Sequence, residues 1–135
     1  MAIKYPDTFM DSLPAGFDGV FDWDFLIPAF APTKIQPMDI DGIIERKGRF
    51  IVFETKNGDT PVPLGQKITL EALVKTRLFV VIILRAKTPD KIRFWEAWWW
   101  EKGAIQKEIF HGNSAALVAW CKHWFDYANS QRGTQ

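Results

Sequence analysis

Residues 37–56 read PMDIDGIIERKGRFIVFETK, and this stretch decides how the chain is organised. Ile40 to Glu45 and Phe50 to Lys56 are two short runs rich in Ile, Val and Phe. Between them lies Arg46-Lys47-Gly48-Arg49, a polar turn whose glycine accepts positive φ. The pattern predicts a β-hairpin. With the turn centred on Lys47-Gly48, Ile43 faces Val52, Asp41 faces Glu54 and Asp39 faces Lys56. Side chains alternate along a strand, so Asp39, Asp41, Glu54 and Lys56 all project from one side. Two carboxylates set opposite each other repel unless something neutralises them. A divalent cation does so, and magnesium favours oxygen ligands: one or two carboxylates, waters and substrate phosphate. Such a cation polarises a phosphodiester and lowers the pKa of bound water. Lys56 would stand beside it, placed to hold the attacking water or offset the charge of a developing phosphorane.

Outward from the hairpin, Asn57 to Pro63 (NGDTPVP) is a loop by composition. Gln66 to Lys75 reads as a helix through Ile68, Ala72 and Leu73 and a Glu71/Lys75 pair four residues apart. Phe79 to Leu84 (FVVIIL) is a continuous apolar run, the mark of a strand buried on both faces. Lys91 to Trp100 and Ala104 to Phe110 form a second hairpin turning at Glu101-Lys102-Gly103. Asn113 or Ser114 caps a final helix, in which Leu117, Trp120, Cys121, Trp124 and Ala128 recur at helical spacing. On the N-terminal side, Pro6, Pro14, Pro28, Pro32 and Pro37 forbid a long helix or a central strand before residue 38. Helical turns are expected around Phe21 to Ile27. A helix between the first hairpin and Phe79 to Leu84 makes a crossover and a mixed sheet, hence an α/β fold.

The chain has 135 residues, 47% hydrophobic and 15% aromatic, which suits one domain over residues 1–135 with a substantial core. Met1 to Met10 carries Lys4 and Asp7 and reads as no secretory leader, and Leu78 to Leu84 is too short to cross a bilayer. The single cysteine, Cys121, excludes an internal disulfide framework and a cysteine-rich zinc site, and suits a reducing cytoplasmic setting. A net charge of +1 does not announce nucleic-acid binding, but phosphate contacts need only a local basic face.

An E-x-K triplet alone is weak evidence, since this composition yields about one per two chains by chance. A second one, Glu45-Arg46-Lys47, falls in the polar turn. Only Glu54-Thr55-Lys56 follows an apolar strand and faces an aspartate on its neighbour. On these residues the segment resembles the core motif of the PD-(D/E)XK nuclease superfamily, and within it small phage or prophage members. The resemblance is specific over about residues 36–84 and elsewhere holds only in element order. It implies a restriction-endonuclease-like αβββαβ core with a mixed sheet flanked by helices, here extended by a hairpin and a C-terminal helix. It also implies a magnesium-dependent nuclease, manganese being the substitute, with DNA as substrate. Asp41 and Glu54 would hold the metal, the Thr55 main-chain carbonyl would add a ligand, and Lys56 would position water. Gly65-Gln66 is similar to the glutamine that related members place at the start of the following helix. Many members carry a further acidic ligand on the first helix. No Glu precedes Glu45 here, so Asp22 or Asp24 would serve, or the site lacks it.

The competing reading of Asp41, Glu54 and Lys56 is a solvated hairpin face with cross-strand ion pairs. Apolar residues on both sides of the strand (Ile51 and Phe53, Val52 and Ile43) argue against it, because charges beyond the middle of a covered strand tend to be functional. Asp39 either assists the metal or neutralises Lys56, and Gln66 is either a site residue or a helix N-terminal polar residue. Trp95, Trp98, Trp99 and Trp100 suit a core or a homodimer interface better than a base-stacking platform. The rival function is a catalytically inactive nuclease-fold protein that binds nucleic acid or serves in assembly.

Overall fold

The computed structural model describes residues 21–131. The chain divides into two units, Met1–Asp39 and Ile40–Gln135, where composition alone set no boundary. In the first, a 3₁₀ turn at Asp24–Leu26 runs into α1 (Ile27–Phe30), with Pro28 in the first turn, where its missing N–H is harmless. The helical turns thus lie at the C-terminal side of the Phe21 to Ile27 window. Asp22 accepts a hydrogen bond from the Asp24 N–H (2.9 Å), and the rings of Phe21, Trp23 and Phe25 contact one another.

The second unit is an α/β fold. Its five strands are β1 (Gly42–Arg46), β2 (Arg49–Thr55), β3 (Phe79–Leu84), β4 (Phe94–Glu101) and β5 (Ala104–His111), in that order across the sheet. Only β2 and β3 are parallel, joined by the crossover helix α2 (Leu64–Lys75), so the sheet is mixed. The final helix, α3 (Ser114–Ser130), follows β5. Two strands stand between α1 and α2, not the three that the resemblance implies. Among the described residues no helix is long and apolar enough to cross a membrane.

Both hairpins close on a Lys-Gly pair with positive φ at each residue: 53° and 79° at Lys47-Gly48, 55° and 76° at Lys102-Gly103. That is the two-residue turn whose twist matches the flanking strands. It fixes Ile43 opposite Val52 and Gly42 opposite Phe53, the register expected from the sequence. Alternation then sorts the sheet into two apolar faces. Ile51, Ile82, Trp95 and Ala97 pack with Leu117, Trp124 and Ala128 of α3. Val52, Val81, Ile83 and Trp98 point the other way, toward Leu70 and Val74 of α2. The Lys107 ammonium, paired with Glu71 of α2 at 2.7 Å, sits 4.0 Å from the Trp98 ring centre. Trp95 and Trp98 are therefore buried on opposite faces of β4 within one chain, while Trp99 and Trp100 are half-buried. Covering on both faces holds for β2 but not for β1, where Ile43 and Ile44 remain about half exposed at 53% and 46%. Asn113 caps α3 by accepting from the Ala116 N–H at 3.1 Å.

Candidate active site

β2 is apolar and buried in its middle and charged at its C-terminal end. Ile51 and Val52 are fully buried, and the alternation that buries Val52 carries Glu54 to the same face, where it is 2% exposed. It is the one buried charged residue among those described. The first turn of α2 lies over this end of the strand, and Gln66 donates from Nε2 to Glu54 Oε2 at 2.8 Å. Lys56, two residues further on and on the same side, brings its ammonium to 3.9 Å from that oxygen. Asp41 stands immediately before β1. Its Oδ2 accepts from the Thr55 N–H (2.7 Å) and the Thr55 hydroxyl (2.9 Å). Asp41, Glu54, Thr55, Lys56 and Gln66 are thus gathered at the C-terminal end of β2. In open α/β sheets, ligands favour the carboxyl ends of parallel strands.

Burial raises the Glu54 pKa above the usual 4.5, and the nearby Asp41 carboxylate raises it further. The Lys56 ammonium and the hydrogen bond from Gln66 oppose this without cancelling it. The charge balance is one-sided: two carboxylates and one ammonium, with the second Glu54 oxygen unpaired. Glu54 Oε1 and Gln66 Oε1 are both buried and have no hydrogen-bond partner. A buried acceptor left unmatched costs about 1–3 kcal/mol, so two together mark a place that lacks a positive group. The donor set there is all oxygen, which suits magnesium. No cluster of three His, Cys, Asp or Glu side chains occurs among the described residues, so a cation would take two carboxylates and fill its remaining positions from water and substrate.

Asp39 ends the first unit and is exposed, as are Asp22 and Asp24. His111 packs its ring near Phe94, and His123 is exposed on α3. Cys121 is half-buried, and burial pushes its thiol pKa up. Sequence reasoning passed over Arg85, which donates to the carbonyls of Gly58 (3.0 Å) and Thr60 (2.6 Å) and so ties down the loop leading to α2. Its only signal was position, as the first charge after the apolar strand. Glu96 was also missed. It is half-buried on the Glu54 face, with Ile83 of β3 between the two in the sheet.

No family model matches the chain, and neither a curated protein nor a solved structure matches it.

Proposed function

We propose that the chain is a metal-dependent nuclease of PD-(D/E)XK type that hydrolyses DNA phosphodiesters. The observation that carries this reading is Glu54, a carboxylate 2% exposed with Oε1 unpaired, beside Asp41 and within 3.9 Å of Lys56. A solvated surface pair would not be buried, and a structural buried pair would have its oxygens matched.

In this reading Asp41 and Glu54 hold magnesium, with the Thr55 carbonyl beside them. The bound metal would supply Lewis acidity toward the phosphate and a water of lowered pKa. The residues of the chain do the rest. The Thr55 N–H and hydroxyl fix the Asp41 carboxylate, and Gln66 fixes Glu54, so neither must reorganise when substrate arrives. The Lys56 ammonium orients the nucleophile or offsets charge as the phosphorane forms. The first N–H groups of α2, which no side chain caps, favour an anion at the same end of the sheet.

Plasmid nicking with magnesium, manganese or EDTA, run beside thermal shift on the same preparation, tests the proposal. Wild type should nick only with metal. Lys56→Ala should lose about 100- to 1,000-fold in rate, the usual effect of removing one such donor, while metal still raises Tm. If Lys56→Ala cleaves like wild type, Lys56 is an ion-pair residue and the reading fails. Metal-dependent stabilisation without cleavage by wild type would point instead to an inactive member of the fold.

A further inference from the structure

Arg85 is the first charged residue after β3, and three observations separate it from an ordinary surface cation. The first is its place. The Lys56 N–H donates to the Leu84 carbonyl at 2.8 Å, the same bond that Phe50 makes to Leu78 where Phe50 pairs with Phe79. The parallel ladder therefore runs on past Thr55 and sets Lys56 beside Arg85, one strand spacing or about 4.8 Å away. Ile83 pairs with Glu54, and Arg85 lies two residues beyond it, so alternation turns Arg85 toward the face that carries Glu54 and Lys56. Two cationic residues thus stand side by side at the carboxyl ends of the two parallel strands.

The second observation is how the guanidinium is held. Nη1 alone donates to both loop carbonyls, Gly58 at 3.0 Å and Thr60 at 2.6 Å. The Thr60 N–H in turn donates to the Asn57 carbonyl, so the group is clamped against a closed turn. Its other edge, Nε and Nη2, has no protein partner among the described residues and is not sealed from solvent. That edge is the planar fork that matches two phosphate oxygens. The third observation is charge. Arg85 is half-buried, yet it makes no ion pair among the described residues, although Asp59 lies between the two carbonyls that it holds. A cation that only tied down a loop could have taken that neighbouring carboxylate as a partner.

We propose that Arg85 is a substrate-binding residue, whose free edge takes the phosphate flanking the scissile one on the same DNA strand. This rests on the nuclease reading, which places the scissile phosphate at Glu54 and Lys56. Arg85 is one strand across and two residues along from Glu54, about 8 Å between backbone positions, which suits a neighbouring phosphate better than the reacting one. Preorganisation by the loop means that little side-chain freedom is lost on binding.

The test is fluorescence anisotropy with a short labelled DNA duplex in EDTA, at roughly 25 to 150 mM KCl, since each phosphate contact contributes about 0.9 to the slope of log K against log[KCl]. Arg85→Gln should lower the slope by about 0.9, and Arg85→Lys, which keeps the charge, should restore it. Loss of a purely structural tie would weaken binding at every salt concentration and leave the slope unchanged. Arg85→Gln also gives up the loop contacts, so a second measurement uses the native chain. Modification of Arg85 by phenylglyoxal, read by mass spectrometry, should slow at least five-fold when the duplex is saturating. No binding of the duplex by wild type, an unchanged slope in folded Arg85→Gln, or modification that the duplex does not slow would overturn the proposal. Nicking by wild type with magnesium, together with an unchanged slope, would remove Arg85 and keep the nuclease reading. A lowered slope with no nicking by wild type would keep Arg85 as a DNA contact and remove the nuclease reading.

Discussion

Replacing Glu54 with glutamine separates a site residue from a structural ion pair, because the two roles give opposite signs. Glu54 is 2% exposed, and its Oε1 and the Oε1 of Gln66 are both buried and unpaired. Glutamine at position 54 keeps one oxygen to accept from Gln66 Nε2 and gains an amide that can donate to Gln66 Oε1, so two side chains of similar volume pair reciprocally. The change removes a buried charge and satisfies one orphaned acceptor, together worth about 2–3 kcal/mol. Against this stands the lost attraction to Lys56, which at 3.9 Å and partly screened by solvent is worth about 1 kcal/mol or less. The net expectation is a gain of about 1–2 kcal/mol in metal-free protein at pH 7. For a chain of this size that is an increase in Tm of about 3–8 °C.

The pH dependence carries the same sign. Burial and Asp41 raise the Glu54 pKa in the folded protein above its ordinary value of 4.5. A carboxyl raised in this way favours the fold while protonated. Its contribution is fully present below 4.5 and is lost as pH rises through the folded-state value. The advantage of Glu54→Gln over wild type should therefore be largest at neutral pH and shrink on acidification toward 4.5. Magnesium should reverse the order by stabilising wild type and not the variant. Differential scanning calorimetry of both proteins across pH 4 to 8, with EDTA and with magnesium, reads all three effects. A metal-free variant that melts below wild type at pH 7 would show that ionised Glu54 supports the fold through Lys56, and the argument for an electron-rich, cation-seeking site would fall.

Other expectations follow from single contacts. Asp41→Asn retains an oxygen for the Thr55 N–H, so the fold should hold while magnesium no longer shifts Tm; a shift equal to wild type in thermal-shift titration would remove Asp41 from the ligand set. A Cβ on Gly112 would stand 2.6 Å from the Ala116 Cβ and 3.3 Å from the Trp95 ring, so Gly112→Ala should destabilise by about 1–3 kcal/mol in urea unfolding; an unchanged midpoint would show that the start of α3 yields freely. Burial raises the Cys121 thiol pKa, so iodoacetamide should label native protein at pH 7 much more slowly than unfolded protein, and equal rates would contradict the burial.

The parts of the fold that were legible in the sequence are those set by short-range rules. The Lys47-Gly48 turn fixed a register that placed Ile43 on Val52, and alternation alone then carried Glu54 to the face where α2 crosses. The unbroken apolar run gave Phe79 to Leu84 as a strand buried on both faces, because no polar residue interrupts it. What could not be read were facts created by the third dimension. The partial exposure of Ile43 and Ile44 depends on β1 lying at the edge of the sheet, and nothing in GIIER distinguishes an edge strand from a central one. The tryptophans at 95, 98 and 99 suited a core or an interface equally, and their packing toward α3 and α2 depends on the sheet order, which the sequence does not show. Arg85 was passed over because its partners are backbone carbonyls 25 and 27 residues away, which no side-chain pattern announces. The candidate site shows the same division. Asp41, Glu54 and Lys56 lie at the open end of one hairpin and were found by counting, whereas the unpaired oxygens of Glu54 and Gln66 exist only because a helix 12 residues later in the chain closes over the strand. Those two unmatched oxygens are what the proposed cation would satisfy, a feature that the triplet of residue types alone did not supply.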